Sequence, residues 1–546
     1  MTLVPTSCCT NTLCSSDARL PTFPMKKLLR FAFQFFLLVG VLQLAACDKK
    51  PDTATASATE PATINFRILA GSELKDVANL VQTYARSQNV SITMEYSGTL
   101  DAIDKLKDPH TYDAVWLSNG KYLQMIPAVK SQIRSSEKIM YSPVVLGVKT
   151  STVAKLGWKS GQTGWGDVLK AAKAGNFHFA MTNPAGSNTG FVALVGLAAE
   201  LSGKGDALEE KDIPVAKLKD FFAAQSLTAG SSGVLAEIVS GNPDRVDGMI
   251  NYESVIRSMA AQNQGWEVIV PKEGVITADY PFMLLAQSKQ QEFYNKFVAW
   301  LRSDATQKQI ASTTYRTPLA GNGRDEVVNE LPFPASLPVV DAILQGFLNS
   351  YSRPTSSYFV LDTSGSMMGK RIEMLRESMS SLVNGDGSTS GRFALLRARE
   401  HLHLLPFSNE LKKQQDYQLG EDRDKNRQVL NEINSNINKL EASGGTAIFS
   451  AIAQVYKQAQ VELKREERSV SIVLLTDGQN TDGISLEEFQ RFVSNQGSPK
   501  VPVFAIMYGD AKQSEMEQLA ATTGGRMFDA RKVKLTQVMR DIRNYQ

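Results

Sequence analysis

The chain has 546 residues, of which 42% are apolar, 21% charged and 8% aromatic. These fractions are typical of globular proteins and exclude a wholly disordered, collagen-like or multi-span membrane protein, while the length suggests about three folding units. The formal net charge of +3 is too balanced for a dedicated nucleic-acid-binding protein. Four cysteines and four histidines leave little room for a disulfide framework or a Cys/His zinc site.

The amino-terminal part of the chain carries a predicted export signal at residues 25–46. Its short basic start precedes an apolar run that is too short to span a membrane but suits a secretory signal. Residues 1–24 have no such pattern, and we interpret them as an upstream extension that is not translated. The apolar run ends in the sequence LAAC at Cys47, which resembles the bacterial lipobox. The resemblance implies that Cys47 is lipidated, and the alternatives are a plain signal peptide or a buried helix.

The residues after Cys47 predict where the protein is held. Asp48 resembles the signal that retains lipoproteins on the periplasmic face of the inner membrane, but Lys49 leaves inner against outer membrane open. The segment 47–62 is rich in Thr, Ala and Pro without apolar periodicity, which predicts a solvated tether. We therefore expect an extracytoplasmic protein that a lipid anchor ties to the membrane.

Strands and helices alternate in the first globular region, which we place at residues 63–340. This alternation predicts an α/β fold with a parallel sheet that helices cover on both faces. Small hydroxyl residues follow the predicted strands, at the sheet edge where ligands of such folds bind. The order of elements resembles the periplasmic solute-binding proteins of ABC transporters, in particular the molybdate- and iron-type group. The segments that carry this resemblance are ILAGSELKDV, EYSGTLDAIDKL, YDAVWLSNG, NPAGSNTGFVAL, VDGMINYESV and TTYRTPL.

The resemblance implies a two-lobed, type II solute-binding fold with a ligand between the lobes. Tyr141–Val148 and Met249–Val255 are then the crossover strands, and about 150–247 is the inserted lobe. Unpaired N–H groups at helix N-termini, together with hydroxyls, can hold a small oxyanion without Lys or Arg. Each hydroxyl residue has the alternative role of a helix N-cap. The residues that the resemblance places around the ligand are Ser72, Ser97, Thr99, Ala185, Ser187, Ser232 and Tyr252.

Three separate loops of the second globular region, 357–546, gather oxygen-bearing side chains. Each loop follows an apolar strand or precedes a helix, so a doubly wound sheet brings them to one edge. Two carboxylates and three hydroxyls in an incomplete octahedron suit Mg²⁺ or Mn²⁺. The residues of this set are Asp362, Ser364, Ser366, Thr446 and Asp477.

This D-x-S-x-S … T … D pattern resembles the metal-ion-dependent adhesion site of von Willebrand factor A domains. The resemblance implies that Ser364, Ser366 and Thr446 bind Mg²⁺ (or Mn²⁺ or Ca²⁺) directly, while Asp362 and Asp477 act mostly through water. The sixth coordination position is then left for a Glu or Asp of a partner protein, because a cation with few direct charges stays electrophilic.

The function that we expect from these two regions is recognition of a partner protein by a lipid-anchored protein whose solute cleft is either vestigial or a sensor of a small anion. The alternative is a solute-binding component of an ABC transporter for an oxyanion or metal complex, with an accessory A domain. We find no hydrolase, metalloprotease or paired-carboxylate motif, and we therefore expect no enzyme activity. His401 and His403 share a strand face but have no evident third metal ligand. Residues 341–356 are predicted to be a linker, and the proline-containing segment 321–356 as a whole is either stiff or docked.

Overall fold

The structure of the protein, a computed structural model, describes residues 64–107, 111–262, 265–319, 328–422, 424–465 and 467–546. The predicted extension, signal, tether and Cys47 lie outside these residues. The strands are β1 (Asn65–Gly71), β2 (Ser91–Ser97), β3 (Ala114–Trp116), β4 (Ile133–Lys138), β5 (Ser142–Lys149), β6 (Phe179–Thr182), β7 (Gln225–Ala229), β8 (Gly248–Tyr252), β9 (Trp266–Ile269), β10 (Thr277–Ala278), β11 (Pro281–Leu285), β12 (Thr355–Asp362), β13 (His401–Phe407), β14 (Gln415–Gln418), β15 (Ser469–Thr476), β16 (Val503–Met507) and β17 (Arg526–Asp529).

Helices separate most of these strands, as the sequence predicts. The α-helices are α1 (Ala78–Ser87), α2 (Thr99–Lys105), α3 (Lys121–Met125), α4 (Pro127–Lys130), α5 (Thr150–Leu156), α6 (Trp165–Lys173), α7 (Asn188–Ser202), α8 (Val215–Phe222), α9 (Ser232–Gly241), α10 (Glu253–Ala261), α11 (Gln291–Leu301), α12 (Asp304–Thr314), α13 (Leu337–Gly346), α14 (Lys370–Asn384), α15 (Gly391–Ala394), α16 (Arg427–Asn438), α17 (Ile448–Leu463), α18 (Leu486–Gln496), α19 (Gln513–Thr523) and α20 (Leu535–Arg543). Shorter 3₁₀ turns lie at Ser72–Val77, Gly205–Ala207, Glu210–Asp212, Pro243–Arg245 and Gly365–Met367, and a π turn at Phe347–Tyr351. No helix in the described part of the chain is long and apolar enough to cross a membrane.

The first lobe is built on a five-stranded sheet with the order β2-β1-β3-β11-β4. Strand β1 pairs in parallel with β2 and β3, as the sequence predicts. Strand β11 is antiparallel to β3 and β4, so the sheet is mixed and not purely parallel. The departure has a simple cause, because the chain enters β11 on its return from the second lobe and runs in the opposite direction.

The second lobe has its own sheet with the order β10-β5-β8-β6-β7, and β9 lies beside β5. Both predicted crossover strands lie in this sheet, where β5 and β8 pair antiparallel. The sheet therefore draws on residues 142–278, a wider span than the predicted inserted lobe at about 150–247. The chain crosses between lobes in the short segments that join β4 to β5 and β10 to β11.

The segment 341–356 does not form an extended linker but packs on the second lobe as a helix. Val340, Ile343 and Leu344 of α13 are buried in the hydrophobic core that the two lobes share. The Tyr122 hydroxyl of the first lobe donates to Asp341 at 2.6 Å. The docked alternative therefore describes this segment, and only the residues next to β12 are extended.

The second globular region is a doubly wound α/β domain. Its sheet has the order β14-β13-β12-β15-β16-β17, with every neighbouring pair parallel except β13 and β14. Two separate hydrophobic clusters, one on each face, pack helices against the buried strands. The long helices of this domain are α14, α16, α17, α18, α19 and α20.

This domain contacts both lobes of the first region. On the first lobe, Asp104 accepts hydrogen bonds from the backbone N–H groups of Thr389 and Ser390, each at 2.7 Å. On the second lobe, the Asn183 amide donates to the Arg543 carbonyl at 3.2 Å. These contacts place the amino-terminal edge of its sheet and the end of α20 against the mouth of the interlobe cleft.

Candidate metal centre and solute cleft

The three loops that carry the predicted metal ligands meet at the carboxyl edge of the second domain's sheet. Backbone hydrogen bonds fasten the first loop to the second, from Gly365 N–H to the Gly444 carbonyl and from Ser443 N–H to the Thr363 carbonyl, each at 2.8 Å. Parallel strands end at the same sheet edge, which brings residues far apart in sequence together.

Side-chain hydrogen bonds join four of the five predicted residues. Asp362 accepts from the Ser364 N–H at 2.9 Å and, through its other oxygen, from the Thr476 hydroxyl at 2.6 Å. The hydroxyls of Ser364 and Ser366 lie 3.0 Å apart, and Ser366 donates to Asp477 at 2.9 Å. The oxygen atoms of these four residues therefore lie close together.

Thr446, the fifth residue, faces the same point across Gly478. A Cβ at Gly478 would lie 3.4 Å from the Ser366 hydroxyl and 3.6 Å from that of Thr446. The backbone of Thr446 is held by the third loop, since its N–H donates to the Thr481 hydroxyl at 3.0 Å. Both distances are ordinary van der Waals contacts, so the hydroxyls of Ser366 and Thr446 lie on the same side of Gly478.

Burial and the neighbouring Arg371 guanidinium determine the electrostatics of Asp362 and Asp477. Both of these carboxylates are inaccessible to solvent. Burial raises the pKa of Asp362, and the negative charge of Asp477 adds to this rise against the hydrogen bonds from Ser364 and Thr476. The Arg371 guanidinium pairs with Asp477 at 2.5 Å and with Asp510 at 3.0 Å. The sequence motif contains no signal for Arg371, which α14 brings to the site.

The donor set fits a small, hard cation. Two carboxylates and three hydroxyls are oxygen ligands of the kind that Mg²⁺, Mn²⁺ and Ca²⁺ take. No group of three or more His, Cys, Asp or Glu side chains is suited to a metal among the described residues, so hydroxyls have to supply most of any coordination here. The other candidate is explained by pairing, because His403 bonds to Asp416 at 2.6 Å and stacks on the Tyr358 ring.

The site opens outward, away from the first domain. Ser366 is exposed, and the neighbouring Met368 has 67% of its surface exposed, which is unusual for a large apolar side chain. The contacts with the lobes are made at the opposite, amino-terminal edge of the sheet. A partner can therefore reach the predicted metal ligands without displacing either lobe of the first region.

Three of the seven predicted solute-binding residues, Ser72, Ser97 and Ala185, line a cavity of about 410 Å³ at the mouth of the interlobe cleft. The Ser97 hydroxyl donates to Asp101 at 2.6 Å, and the Ala185 N–H donates to the Asn183 side chain at 2.9 Å. This cavity is the open space that the predicted residues share, and the remaining four lie elsewhere.

Two further predicted residues, Thr99 and Tyr252, belong to a buried hydrogen-bond network between the lobes. The Thr99 hydroxyl donates to Asn188 at 3.3 Å, and the Asn188 amide donates to Ser118 at 2.6 Å. Tyr252 donates to the same Ser118 hydroxyl at 2.7 Å. Sequence analysis missed Ser118 and Asn188, although Ser118 follows β3 at the expected edge and Asn188 adjoins Ser187.

The last two predicted residues, Ser187 and Ser232, are buried and outside the cavity lining. Ser187 is the N-cap residue of α7, whereas Ser232 is the first residue of α9 and Ser231 is its N-cap. Neither N-cap has a side-chain hydrogen bond to its helix within the described residues, so the capping alternative is not what the structure shows there.

A buried acid, Glu73, occupies the floor of the cleft. One of its carboxylate oxygens has no hydrogen-bond partner among the described residues. Burial raises its pKa, against the opposing hydrogen bond from Ser118 and the charge of Arg316. The sequence predicts that helix N-termini hold an anion in the cleft, but the Glu73 carboxyl group occupies its floor. The outer cavity is therefore the better place for an anionic solute.

Asp541 in the cavity wall should make stability depend on pH. The Asp541 side chain is exposed to the cavity, but the enclosing walls limit its hydration and raise its pKa to about 7, with Asp101 adding to the rise while Arg540 and Lys105 oppose it. Between the ordinary Asp pKa and this value the folded chain holds a proton that the unfolded chain has lost, so stability falls as pH rises through the window.

Asp541→Asn should therefore raise the free energy of unfolding at pH 8 by on the order of 1 kcal/mol, since cavity water screens part of the effect. At pH 4 the variant and the original chain should unfold alike in urea. Asp424→Asn, at an exposed carboxylate, serves as the control. An equal change at both pH values would contradict the assignment.

Comparison with known proteins identifies both regions. Residues 66–316 match the family model of bacterial extracellular solute-binding proteins, and residues 358–541 match that of the von Willebrand factor type A domain. The chain joins a bacterial solute-binding domain to a von Willebrand A domain. Both family resemblances predicted from the sequence are thereby confirmed.

The curated relatives match the von Willebrand A domain. Inter-alpha-trypsin inhibitor heavy chain H4 of Sus scrofa is 29% identical over 178 residues, which cover 32% of this chain and 18% of that protein. Heavy chain H3 of Homo sapiens is 26% identical over 162 residues, 29% of this chain and 17% of that protein. This chain thus spans less than a fifth of the length of these relatives.

Solved structures resemble the solute-binding domain. The periplasmic binding protein P5PA covers 53% of this chain with all of its own, at 17% identity and a TM-score of 0.41. A periplasmic thiamin binding protein covers 53% of this chain with 97% of its own, at 12% identity and a TM-score of 0.41.

Proposed function

We propose that the protein is a lipid-anchored, extracytoplasmic binding protein whose von Willebrand A domain recognises an acidic group of a partner protein through a divalent cation. The observation that carries the proposal is the convergence of Asp362, Ser364, Ser366, Thr446 and Asp477 at an outward-facing edge. Anchoring rests on Cys47 and the preceding signal, and the bacterial extracellular family of residues 66–316 supports a location outside the cytoplasm. The role is one of binding and not of catalysis.

The residues of this chain would divide the work of holding the cation. Ser364, Ser366 and Thr446 offer neutral hydroxyl oxygens, while Asp362 and Asp477 orient those hydroxyls and bound water. When bound, Mg²⁺ (or Mn²⁺ or Ca²⁺) supplies a Lewis-acidic position for a carboxylate. Few direct charges on the cation favour capture of a partner's Glu or Asp.

The rim of the site favours a partner with an apolar group beside its carboxylate. Met368 offers its exposed side chain to such a group, and the exposed Lys370 lies next to it in sequence. An isolated, flexible methionine adapts to differently shaped partners. We therefore expect an acidic residue flanked by an apolar one in the partner's recognised segment.

A pull-down from detergent extract with the full chain tests the proposal. In Mg²⁺ buffer the protein should retain a partner that EDTA releases, and Ser366→Ala should weaken both Mn²⁺ binding and capture by about tenfold or more, because it removes one ligand without burying a charge. Ser494→Ala, at an exposed hydroxyl of α18, should change neither. Capture that is indifferent to both EDTA and Ser366→Ala would refute the proposal.

The alternative function is delivery of an oxyanion or metal complex to an ABC transporter. It is supported by the solute-binding family of residues 66–316 and by the 410 Å³ cavity lined with predicted ligand residues. Calorimetry with molybdate separates the two functions. Tight binding of molybdate, together with no effect of Mg²⁺ on any partner, would favour transport.

A further inference from the structure

The cavity at the mouth of the solute cleft has walls from both domains. Ser72, Lys75 and Ser97 belong to the first lobe, whereas Arg526 and Tyr545 belong to the von Willebrand A domain. We propose that this cavity is a composite binding site for a small organic anion, to which the von Willebrand A domain contributes part of the ligand contacts. The inference rests on the proposed function only in taking residues 66–316 as solute-binding.

Close packing shows that the von Willebrand A domain is seated directly on the solute-binding loops. A Cβ at Gly186 would lie 2.2 Å from the side chain of Asn544. A Cβ at Gly230 would lie 2.8 Å from the ring of Tyr545. Only glycine allows so close an approach at these two positions, so any solute above the loops has the end of α20 as its roof.

The floor of the cleft is already filled by the chain's own polar groups. The network of Thr99, Asn188, Ser118 and Tyr252 joins the lobes, and the Glu73 carboxyl lies beside it. An anion at that depth would meet a buried acid. A solute is therefore directed to the outer cavity, where the second domain forms the opposite wall.

The cavity lining holds three acidic side chains, Asp101, Asp529 and Asp541, and three basic ones, Lys75, Arg526 and Arg540, and the pairing of these groups favours an anion. Arg540 pairs with Asp386 at 2.6 Å, and Asp541, whose pKa is raised to about 7, is partly protonated at neutral pH. Asp101 accepts a hydrogen bond from Ser97 and forms an ion pair with Lys105 at 3.0 Å, and Asp529 forms an ion pair with Arg531 at 2.7 Å. Lys105 and Arg531 both lie outside the cavity lining. Two basic side chains of the lining, one from each domain, make no ion pair or hydrogen bond among the described residues. These are Lys75, whose ammonium lies 5.3 Å from the Tyr96 ring centre, and Arg526.

The size of the cavity indicates an organic ligand. A volume of about 410 Å³ lies within the range of metabolite-sized pockets and exceeds what a single inorganic oxyanion fills. Exposed basic side chains and serine hydroxyls bind phosphate or carboxylate groups through charge-assisted hydrogen bonds. The ligand class is therefore a small organic molecule that bears a phosphate or a carboxylate.

Calorimetry on the full chain tests the composite site with glycerol 3-phosphate, citrate and, as an uncharged probe, glycerol. At least one anion should bind at millimolar or lower concentration, and glycerol should not. Lys75→Gln and Arg526→Gln should each weaken binding by about tenfold or more, because each removes a charge-assisted contact. Arg491→Gln, at an exposed arginine of α18, should leave affinity unchanged.

The outcomes separate this inference from the proposed function. Binding that depends on Lys75 but not on Arg526 would overturn the composite site and leave the solute-binding role intact. Failure of both anions to bind would overturn the inference as well. Neither result touches capture of a partner through Mg²⁺, which is measured separately and should be unaltered by Arg526→Gln. An unchanged melting temperature shows that each variant folds.

Discussion

Replacing Arg543 by leucine should lower the free energy of unfolding of the von Willebrand A domain by about 3–5 kcal/mol. Arg543 and Glu400 are both buried, and the guanidinium donates to the two carboxylate oxygens at 2.8 and 2.7 Å. Truncation of Arg543 removes the ion pair of Glu400 and leaves this buried carboxylate with hydrogen bonds from the Ser357 hydroxyl and the Arg397 N–H, each at 2.7 Å, which only partly compensate its charge. The pair lies at the end of α20 that faces the solute-binding lobes.

Urea unfolding, monitored through hydrogen exchange in β12 and β13, measures this loss of stability within the domain. Arg531→Leu is the matched control, because its ion pair with Asp529 is partly exposed and such pairs contribute about 0–1 kcal/mol. A loss below about 1 kcal/mol for Arg543→Leu would show that Glu400 finds another partner or water.

The cost of Arg543→Leu should also depend on pH. Burial disfavours the ionised form of Glu400, but the charge and hydrogen bonds of Arg543 outweigh it and lower the pKa. A lowered pKa in the folded state means that the stabilisation is complete above the ordinary Glu pKa and is lost as pH falls below it. The difference between the variant and the original chain should therefore shrink in acid.

Gly98→Ala is expected to disfavour the closed arrangement of the two lobes by about 1–3 kcal/mol. A Cβ at Gly98 would lie 2.3 Å from the carbonyl oxygen of Gly186 on the other lobe, a backbone atom that cannot move aside by rotation. The Gly98 backbone has φ −77° and ψ 167°, which alanine adopts without strain. The whole effect should therefore come from the contact between lobes.

Hydrogen exchange in the segments around Ser118 and Asn188 measures this opening, together with the radius of gyration from X-ray scattering. Exchange in both segments should accelerate by about fivefold to 150-fold, as a shift of 1–3 kcal/mol implies. Gly233→Ala is the control, because a Cβ there meets nothing within 4 Å. Equal exchange in the two variants would mean that the lobes absorb the extra methyl group without opening.

Local patterns predicted most of the fold. The apolar run Ser471–Leu475 predicts a strand and the residues from about Ala447 predict a helix, and the structure has a strand at Ser469–Thr476 and a helix at Ile448–Leu463. The direction of β11 and the helical packing of α13 were not predictable, because both depend on contacts with residues far away in sequence. The predicted crossover strands exist but belong to the second lobe's sheet.

The two candidate sites differ in how far the sequence revealed them. The metal centre follows from three motifs that each end a strand or begin a helix, and the structure brings Ser364, Ser366 and Asp477 within hydrogen-bonding distance. Arg371 was missed because pairing across the site leaves no trace in a motif. In the cleft, single serines carry no information about depth, so Ser97 and Ser187 had equal standing although only Ser97 lines the cavity.

The contacts of the von Willebrand A domain with both lobes should limit how fast a solute can enter and leave the cavity. Asp104 on one lobe and Asn183 on the other are each hydrogen-bonded to the von Willebrand A domain. The two lobes cannot move apart until the contacts of the von Willebrand A domain with one of them are broken. If the cavity binds the organic anion that we propose, we expect the anion to leave only after the domains separate.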